Sequence, residues 1–192
     1  LSMVFIIFQN NNFLPLSNII ILFALNNLIF LFYNWSPAKV FMGDSGSLFI
    51  GTIFCFFIIY SVSMLNIDLI LWIIMFSYIL IDTSITLIFR LFKHEPIFKA
   101  HKSHAYQNLA KFLNSHSKTT IYISLYHIFW LLPLMLLTFS FIEYKFIFFI
   151  ISIVPTLLLV IIYGPMYKFF FEKLIYIMVF FIPFNKVFYS FI

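Results

Sequence analysis

The segment 37–48, PAKVFMGDSGSL, holds the densest group of side chains that could do chemistry in this sequence. Two of only four glycines, Gly43 and Gly46, flank Asp44 and Ser45, so the backbone there can turn tightly and approach a ligand closely. The carboxylate of Asp44 is a hard oxygen ligand of the kind that Mg²⁺ prefers, and Mg²⁺ commonly bridges a protein carboxylate and a substrate phosphate. These residue types predict a site for a phosphorylated ligand.

An apolar helix is predicted to begin at Leu48, directly after these residues. The free backbone N–H groups at a helix N-terminus are suited to phosphate oxygens. The alternative interpretation is simpler, because Asp44 or Ser47 could serve only as the N-cap of that helix. Lys39 and the paired glycines favour a binding site, since a cap requires none of them.

A second polar segment, residues 93–109 with the sequence KHEPIFKAHKSHAYQNL, holds three of the five histidines. His101, Lys102 and His104 can each donate hydrogen bonds to phosphate or sugar oxygens. A short helix is predicted from Ser103 onward, with an apolar face made of Tyr106, Leu109, Phe112 and Leu113. The pattern leaves an alternative open, in which this helix lies in the interface and anchors a basic loop to anionic membrane lipids.

Asp82 lies inside an apolar segment, where a charge is costly and usually marks function or a buried partner. Arg90 is two helical turns further on, so a contact between the two within one helix is not expected. A structural hydrogen bond from Asp82 to a neighbouring span is the alternative. Asp68 and Glu143 are interpreted as solvated charges in loops or at helix ends.

The composition excludes a soluble globular domain, because 64% of the 192 residues are apolar and only 9% are charged. The net charge of +5 arises from one region, since residues 90–118 hold six basic residues and one acid. A basic cluster beside apolar segments is typical of a membrane protein loop and does not indicate a nucleic-acid partner.

Five stretches are apolar over roughly the 20 residues that a helix needs to cross a bilayer. They are residues 13–33, 48–65, 69–92, 119–142 and 146–163. A sixth stretch, 174–192, is interrupted by Pro183 and Lys186, so it either lies in the interface or spans beside neighbouring helices. The predicted fold class is an all-α integral membrane protein, a polytopic helical bundle of five or six transmembrane helices that forms one domain over residues 1–192.

The basic residues predict the orientation of this bundle. Alternating spans place nine of them on one side and Lys145 on the other, with Lys186 unassigned. The larger group comprises Lys39, Arg90, Lys93, Lys99, Lys102, Lys111, Lys118, Lys168 and Lys173. By the positive-inside rule, the loops 34–47, 93–118 and 164–173 are cytoplasmic, so both polar segments are expected at the inner surface.

The run PAKVFMGDSGSLFIG, residues 37–51, resembles the signature of the polyprenyl-phosphate N-acetylhexosamine-1-phosphate transferases, glycosyltransferase family 4. The resemblance implies a bacterial inner-membrane enzyme that transfers a sugar-1-phosphate from a UDP-N-acetylhexosamine to undecaprenyl phosphate and releases UMP. It implies Mg²⁺ as cofactor and Asp44 as the catalytic acid near or on the metal. Lys39, Gly43, Ser45 and Gly46 are the substrate-binding candidates around it.

The run HKSHAYQ, residues 101–107, is similar to the family's later histidine-containing cytoplasmic loop, which helps to bind the UDP-sugar. By this resemblance His101, Lys102 and His104 are also candidates for substrate binding. The form of the run resembles the branch that initiates O-antigen and related envelope polysaccharides, the lipopolysaccharide type among them.

Two family motifs have no counterpart here, because the sequence contains neither Asp-Asp nor Asp-Gly. The chain therefore resembles the C-terminal part of such an enzyme. One alternative is a catalytically incomplete fragment or one half of a split transferase that needs a missing N-terminal half. Another, from a different class, is a small membrane transporter with Asp82 on an ion pathway. Whether the bundle forms a homodimer is left open.

Overall fold

The computed structural model of the chain describes residues 14–96 and 103–165, and this part is helical without strands. The α-helices are α1 (Leu14–Asn34), α2 (Gly43–Leu65), α3 (Leu69–Phe92), α4 (Ala105–Phe112), α5 (His116–Tyr126), α6 (Leu132–Ser140) and α7 (Lys145–Tyr163). A π-helical turn, His127–Leu131, joins α5 to α6, and a 3₁₀ turn, Ile142–Tyr144, precedes α7. The all-α prediction is confirmed.

Five helical segments are long and apolar enough to cross a membrane. They are Leu16–Asn34, Gly43–Leu65, Leu69–Phe92, His116–Ser140 and Ile142–Tyr163. The five predicted spans are therefore confirmed, and the chain is a multi-pass membrane protein. The predicted sixth stretch, 174–192, and the predicted loop 164–173 beyond residue 165 lie outside the described residues.

The fourth span changes its helical geometry at its middle because of a proline. The N–H of Leu132 donates to the carbonyl of His127, five residues earlier, which is the hydrogen bond of a π-helical turn. Pro133 follows directly, has no N–H and would crowd the carbonyl of Phe129 in an ordinary α-helix. The wider turn accommodates the proline without ending the span.

Contacts divide the described chain into two units. The first contains residues 14–77 and 113–154, and the second contains residues 78–96, 103–112 and 155–165. The helix α3 contributes its beginning to the first unit and the remainder to the second. The prediction that residues 1–192 form a single bundle stays a prediction.

The core of the first unit is apolar, with Phe57, Leu71, Ile74 and Met135 almost fully buried. Trp72 is also buried there, and its ring lies parallel to that of Phe76 at 6.1 Å. Many other large apolar side chains are exposed, as expected for spans that contact lipid. Helices in a bilayer associate through this kind of close packing, because lipid tails are as apolar as the side chains.

A short connection, residues 66–68, joins α2 to α3. Asn66 adopts the left-handed conformation with φ 52°, and its N–H donates to the carbonyl of Ser61. Asp68 then accepts a hydrogen bond from the N–H of Ile70 at 3.0 Å and forms an ion pair with Lys145. Asp68 is thus a charge at a helix end, as predicted, and it is partly exposed while it caps α3 and pairs with Lys145 at the start of α7.

The pKa of Asp68 is lowered from its ordinary value, first by the hydrogen bond from Lys145 and then by the N–H of Ile70. A carboxyl whose pKa is lowered on folding stabilises the protein above its unfolded pKa and loses that contribution as the pH falls through the lowered folded pKa. We expect Asp68→Ala to lower the free energy of unfolding by about 1 kcal/mol through the lost cap. Asp68→Asn keeps a capping side chain and loses only a partly exposed ion pair, worth about 0.2–1 kcal/mol.

Thermal unfolding in detergent micelles, recorded from neutral to strongly acidic pH, measures both effects. The difference between wild type and Asp68→Asn should shrink in the acid range, where Asp68 becomes protonated. The matched control is Glu143→Gln, which removes an exposed acid close to Lys145 in the sequence. A difference that persists unchanged at acid pH would show that the carboxylate charge of Asp68 does not contribute.

Candidate functional site

The loop between α1 and α2 forms two hydrogen bonds with the end of α1. The N–H of Lys39 donates to the carbonyl of Tyr33 at 2.9 Å, and the amide of Asn34 donates to the carbonyl of Val40 at 2.8 Å. The peptide bond between Ser36 and Pro37 is cis. The two hydrogen bonds hold Lys39 and Val40 beside the end of α1.

The helix α2 begins at Gly43 and not at the predicted Leu48. Gly43 adopts a φ of +64°, a left-handed conformation that glycine takes without the steric cost of a side chain. The residues after it are helical, and the hydroxyl of Ser47 donates to the carbonyl of Asp44 at 2.9 Å. The segment Gly43 to Ser47 is thus the helix N-terminus itself and not a turn that precedes it.

The side chain of Asp44 does not cap this helix. The capping position is Met42, and no side chain makes a capping hydrogen bond there. The carboxylate of Asp44 is exposed and has no hydrogen bond or ion pair within the described part of the chain. It lies in the first turn, where the helix dipole and the free N–H groups favour negative charge. The capping alternative for Asp44 therefore has no support, and the carboxylate is available to a ligand.

The surroundings of Asp44 bring together several predicted site residues. Gly43, Ser45 and Gly46 share the first turn of α2 with it, and the exposed Lys39 lies in the preceding loop. No group of three His, Cys, Asp or Glu side chains suitable for a metal occurs among residues 14–96 and 103–165. A single carboxylate beside free N–H groups still fits Mg²⁺, which proteins often bind through one or two carboxylates plus substrate phosphates.

The two glycines of this turn should respond differently to alanine. A Cβ on Gly43 would meet no atom, yet its φ of +64° would cost about 1–2 kcal/mol for a residue with a side chain. A Cβ on Gly46 would meet Cγ of Met42 at 2.6 Å, so the Met42 side chain must rotate, while alanine favours helix over glycine by about 1 kcal/mol, which offsets that cost.

We therefore expect Gly43→Ala to lower the thermal unfolding midpoint and Gly46→Ala to leave it unchanged or raise it. Hydrogen exchange of the first turn of α2 should increase only in Gly43→Ala. Equal destabilisation by both substitutions would contradict a special backbone role for Gly43.

The second unit contains the other predicted site residue that the structure describes, His104. Its Nδ1 lies 3.4 Å from Oδ2 of Asp82, and the other oxygen of that carboxylate accepts the N–H of Ala105 at 2.9 Å. Asp82 is 3% exposed, and Thr86 lies 3.4 Å from its Oδ1. The buried partner predicted for Asp82 is thus the segment that begins α4 and not a neighbouring span. His101 and Lys102 lie outside the described residues.

The helix α4 buries small and polar residues against the protein. Ala105, Asn108 and Ala110 are buried, whereas Tyr106 and Phe112 are exposed. The amide of Asn108 donates to the carbonyl of Gly164 at 3.0 Å, which explains why a polar residue lies on the buried side. Small residues permit the close approach that this hydrogen bond requires, and the role of the predicted apolar face stays a prediction.

Arg90 has a role that the sequence pattern did not reveal. It is buried at the end of α3, donates to the carbonyl of Pro96 through Nη2, and its Nε lies 3.4 Å from the carboxylate of Glu95. The sequence feature that could have indicated this role is an arginine in the last turn of an apolar helix, followed by an acid five residues later. Arg90 therefore holds the first residues of the loop that leads towards His104.

Comparison with known proteins finds similarity over part of the chain, including the segment around Asp44. The model of glycosyl transferase family 4 matches residues 1–62, which include Lys39 and the Gly43–Gly46 turn. A relative from Bacillus subtilis strain 168, named probable undecaprenyl-phosphate N-acetylglucosaminyl 1-phosphate transferase, is 36% identical over 110 residues. That match covers 52% of this chain and 28% of the relative. No solved structure matches the chain.

Proposed function

We propose that this chain transfers an N-acetylhexosamine-1-phosphate from a UDP-sugar to undecaprenyl phosphate. The match of its residues 1–62 to the model of glycosyl transferase family 4 supports this proposal. The observation that carries the proposal is the exposed carboxylate of Asp44, unbonded within the described chain, at the N-terminus of α2. The name of the Bacillus subtilis relative supports the same reaction class for this chain.

In the proposed reaction, an oxygen of the lipid phosphate attacks the sugar-linked phosphorus of the UDP-sugar. The bond from that phosphorus to the bridging oxygen breaks, and UMP leaves with the electron pair. The free N–H groups of α2 and the ammonium of Lys39 bind phosphate oxygens and oppose the charge that develops. Asp44 would hold Mg²⁺, which when bound neutralises charge on the diphosphate.

His104 is proposed to contact the diphosphate or the sugar, together with His101 and Lys102. The imidazole of His104 is 22% exposed at its side chain, so it borders solvent, whereas its partner Asp82 is buried. Charge-assisted hydrogen bonds from such donors are about twice as strong as neutral ones, which suits a diphosphate ligand.

We also propose which side of the membrane the loops face and in which membrane the protein lies. The basic residues predict that the loops 34–47, 93–118 and 164–173 face the cytoplasm of a bacterium, where a UDP-sugar would be available. The chain would lie in the inner membrane among lipids that include its acceptor. Its product would be the first intermediate of an envelope polysaccharide. The resemblance of the HKSHAYQ run favours the O-antigen of lipopolysaccharide as that polysaccharide.

The test is UMP release by the purified chain in lipid nanodiscs supplied with UDP-N-acetylglucosamine, undecaprenyl phosphate and Mg²⁺. We expect equal amounts of UMP and lipid-linked sugar, and loss of both when the metal is chelated or the lipid phosphate is omitted. UDP-N-acetylgalactosamine in the same assay measures sugar choice. UMP release without lipid product would indicate hydrolysis and would overturn the proposed acceptor.

A second candidate is half of a split transferase, which works only beside another polypeptide. It is favoured by the single carboxylate at the start of α2 and by the lack of Asp-Asp and Asp-Gly in the sequence. Expression of the chain alone, and together with the coding sequence immediately upstream of residue 1, separates the two candidates. Turnover only in the second case supports the split enzyme. The transporter alternative stays a prediction, and substrate flux that depends on Asp82 but not on Asp44 would support it.

A further inference from the structure

We propose that three residues of the loop between α1 and α2 insert into the bilayer interface and hold Asp44 at the depth of the lipid phosphates. These residues, which we call the loop anchor, are Trp35, Val40 and Phe41. Their partner is the lipid bilayer, at the boundary between headgroups and acyl chains. The consequence for the reaction rests on the proposed function, because it concerns a phosphate carried by a lipid, whereas the depth of the loop does not depend on that function.

The loop anchor exposes apolar side chains at the end of a membrane span. In the described part of the chain, Phe41 is 80% exposed, and Val40 and Trp35 are exposed as well. Tyr33, also exposed, lies in the last turn of α1 just before them. Exposed apolar patches mark contacts with membranes or with other proteins, and Trp and Tyr are enriched where spans meet the headgroups. These residue types therefore fit the interface of a bilayer.

Two hydrogen bonds keep the loop beside the end of α1. The N–H of Lys39 donates to the carbonyl of Tyr33, and the amide of Asn34 donates to the carbonyl of Val40. The chain thus folds back towards the span and does not extend away from it. Phe32, in the last turn of α1, is 79% exposed and belongs to a segment long and apolar enough to cross the membrane. The loop anchor therefore continues the lipid-contacting surface of α1.

The register of α2 gives an independent measure of the depth of Asp44. The first large apolar side chains exposed on α2 are those of Leu48 and Phe49, so the hydrocarbon begins near them. Asp44 precedes Leu48 by four residues, which is about 6 Å along a helix. Each headgroup layer of a bilayer is about 5–7 Å thick. The first turn of α2 therefore lies in the layer that contains the lipid phosphates, and the loop anchor opposes its movement into water.

Lys39 limits how deeply the loop can insert. It is exposed and lies in the same loop, two residues before Phe41. A lysine can place its apolar stem along the interface and keep its ammonium among the headgroups, where anionic lipids attract it. The loop is therefore expected at the interface, with Phe41 on the acyl side and the charge of Lys39 on the water side.

The experiment is electron paramagnetic resonance of the full chain, carrying a nitroxide on one cysteine, in lipid nanodiscs. It compares collisions of the nitroxide with oxygen, which enters hydrocarbon, and with a nickel chelate, which stays in water. The single cysteine of the sequence, Cys55, is exposed in the middle of α2 and supplies the hydrocarbon reference. Phe41→Cys and Lys39→Cys, each in a Cys55→Ala background, are the matched pair. We expect oxygen collisions to dominate at position 41, though less than at position 55, and nickel collisions to dominate at position 39.

Two results at position 41 would overturn the proposal. A nitroxide there that meets the nickel chelate as often as the one at position 39 places the loop in water. A nitroxide that meets neither reagent shows that another protein segment covers the loop. Phe41 is 80% exposed, so Phe41→Cys removes no buried contact and should keep the fold.

Kinetics test the consequence for the acceptor, in whichever preparation turns over. In Phe41→Glu we expect the KM for undecaprenyl phosphate, measured as its mole fraction in the nanodisc, to rise by roughly tenfold, because burial of one Phe side chain is worth at least that factor. The KM for the UDP-sugar should change much less, and Phe41→Trp should behave like the wild type. The control is Phe141→Glu, at an exposed phenylalanine between the fourth and fifth spans, which should leave both KM values unchanged.

An equal rise of both KM values in Phe41→Glu would overturn the role of the loop anchor, because it would indicate general damage to the site. Absence of turnover in every preparation counts against the proposed function alone, since the nitroxide measurements need no substrate and decide the depth of the loop by themselves.

Discussion

Asp44→Asn is expected to reduce Mg²⁺-dependent UMP release by at least about 100-fold, the size of losing one preorganised charge-stabilising group. The substitution removes one negative charge and leaves the size of the side chain nearly unchanged. Because the carboxylate of Asp44 makes no hydrogen bond within the described chain and does not cap α2, the fold should lose little. The favourable interaction of the carboxylate with the helix dipole contributes only about 0.3–1 kcal/mol.

The measurement is the initial rate of UMP release across a range of Mg²⁺ concentrations, with thermal unfolding recorded for the same samples. The matched control is Asp68→Asn, which makes the same chemical change at the start of another helix, α3. The control should keep wild-type turnover. Turnover by Asp44→Asn comparable to wild type would show that this carboxylate does not serve the reaction.

Trp72→Ala is expected to cause the largest loss of stability of any single change described for this protein, about 3–5 kcal/mol. Trp72 is 5% exposed in the core of the first unit. Its indole Nε1 donates to the hydroxyl of Ser61 at 2.8 Å, and Ser61 is fully buried. The substitution leaves a cavity and also leaves the hydroxyl of Ser61 without this donor.

The lost hydrogen bond and the cavity contribute separately to the free energy of unfolding, and each contribution can be measured. Ser61→Ala leaves the buried indole N–H unpaired, which costs about 1–3 kcal/mol. Trp72→Phe combined with Ser61→Ala removes both polar partners and should be less destabilising than the sum of the single changes. The control is Trp130→Ala, because Trp130 is 39% exposed and its loss creates no buried cavity. Unfolding in denaturant measures the free energy of unfolding of each variant. Equal losses in Trp72→Ala and Trp130→Ala would contradict the packing argument.

The sequence by itself determined the membrane architecture. A span needs about 20 apolar residues in an unbroken run, and this requirement is local, so hydropathy located all five spans that the structure describes. The sequence also predicted a candidate site around Asp44, because glycines, an acid and hydroxyls lie within a few consecutive positions. The family match covers this same motif.

Other features depended on residues that are distant in the chain. The sequence pattern marked Asp82 as costly but could not identify its donor, Ala105, which lies 23 positions away. The ion pair of Asp68 with Lys145 joins residues 77 positions apart, and each residue alone resembles an ordinary solvated charge. The start of α2 at Gly43 was also missed, because a glycine can either end a loop or begin a helix.

Helix location and motif chemistry follow from short-range properties of the chain, namely the hydrophobicity of consecutive residues and the atoms that neighbouring side chains provide. Which partner a buried polar group acquires depends on how helices pack. Many arrangements of the same spans satisfy the same hydropathy, but only the tertiary structure brings the carboxylate of Asp82 within reach of His104 and the N–H of Ala105. A buried charge needs hydrogen-bonding partners, and packing determines which ones it finds.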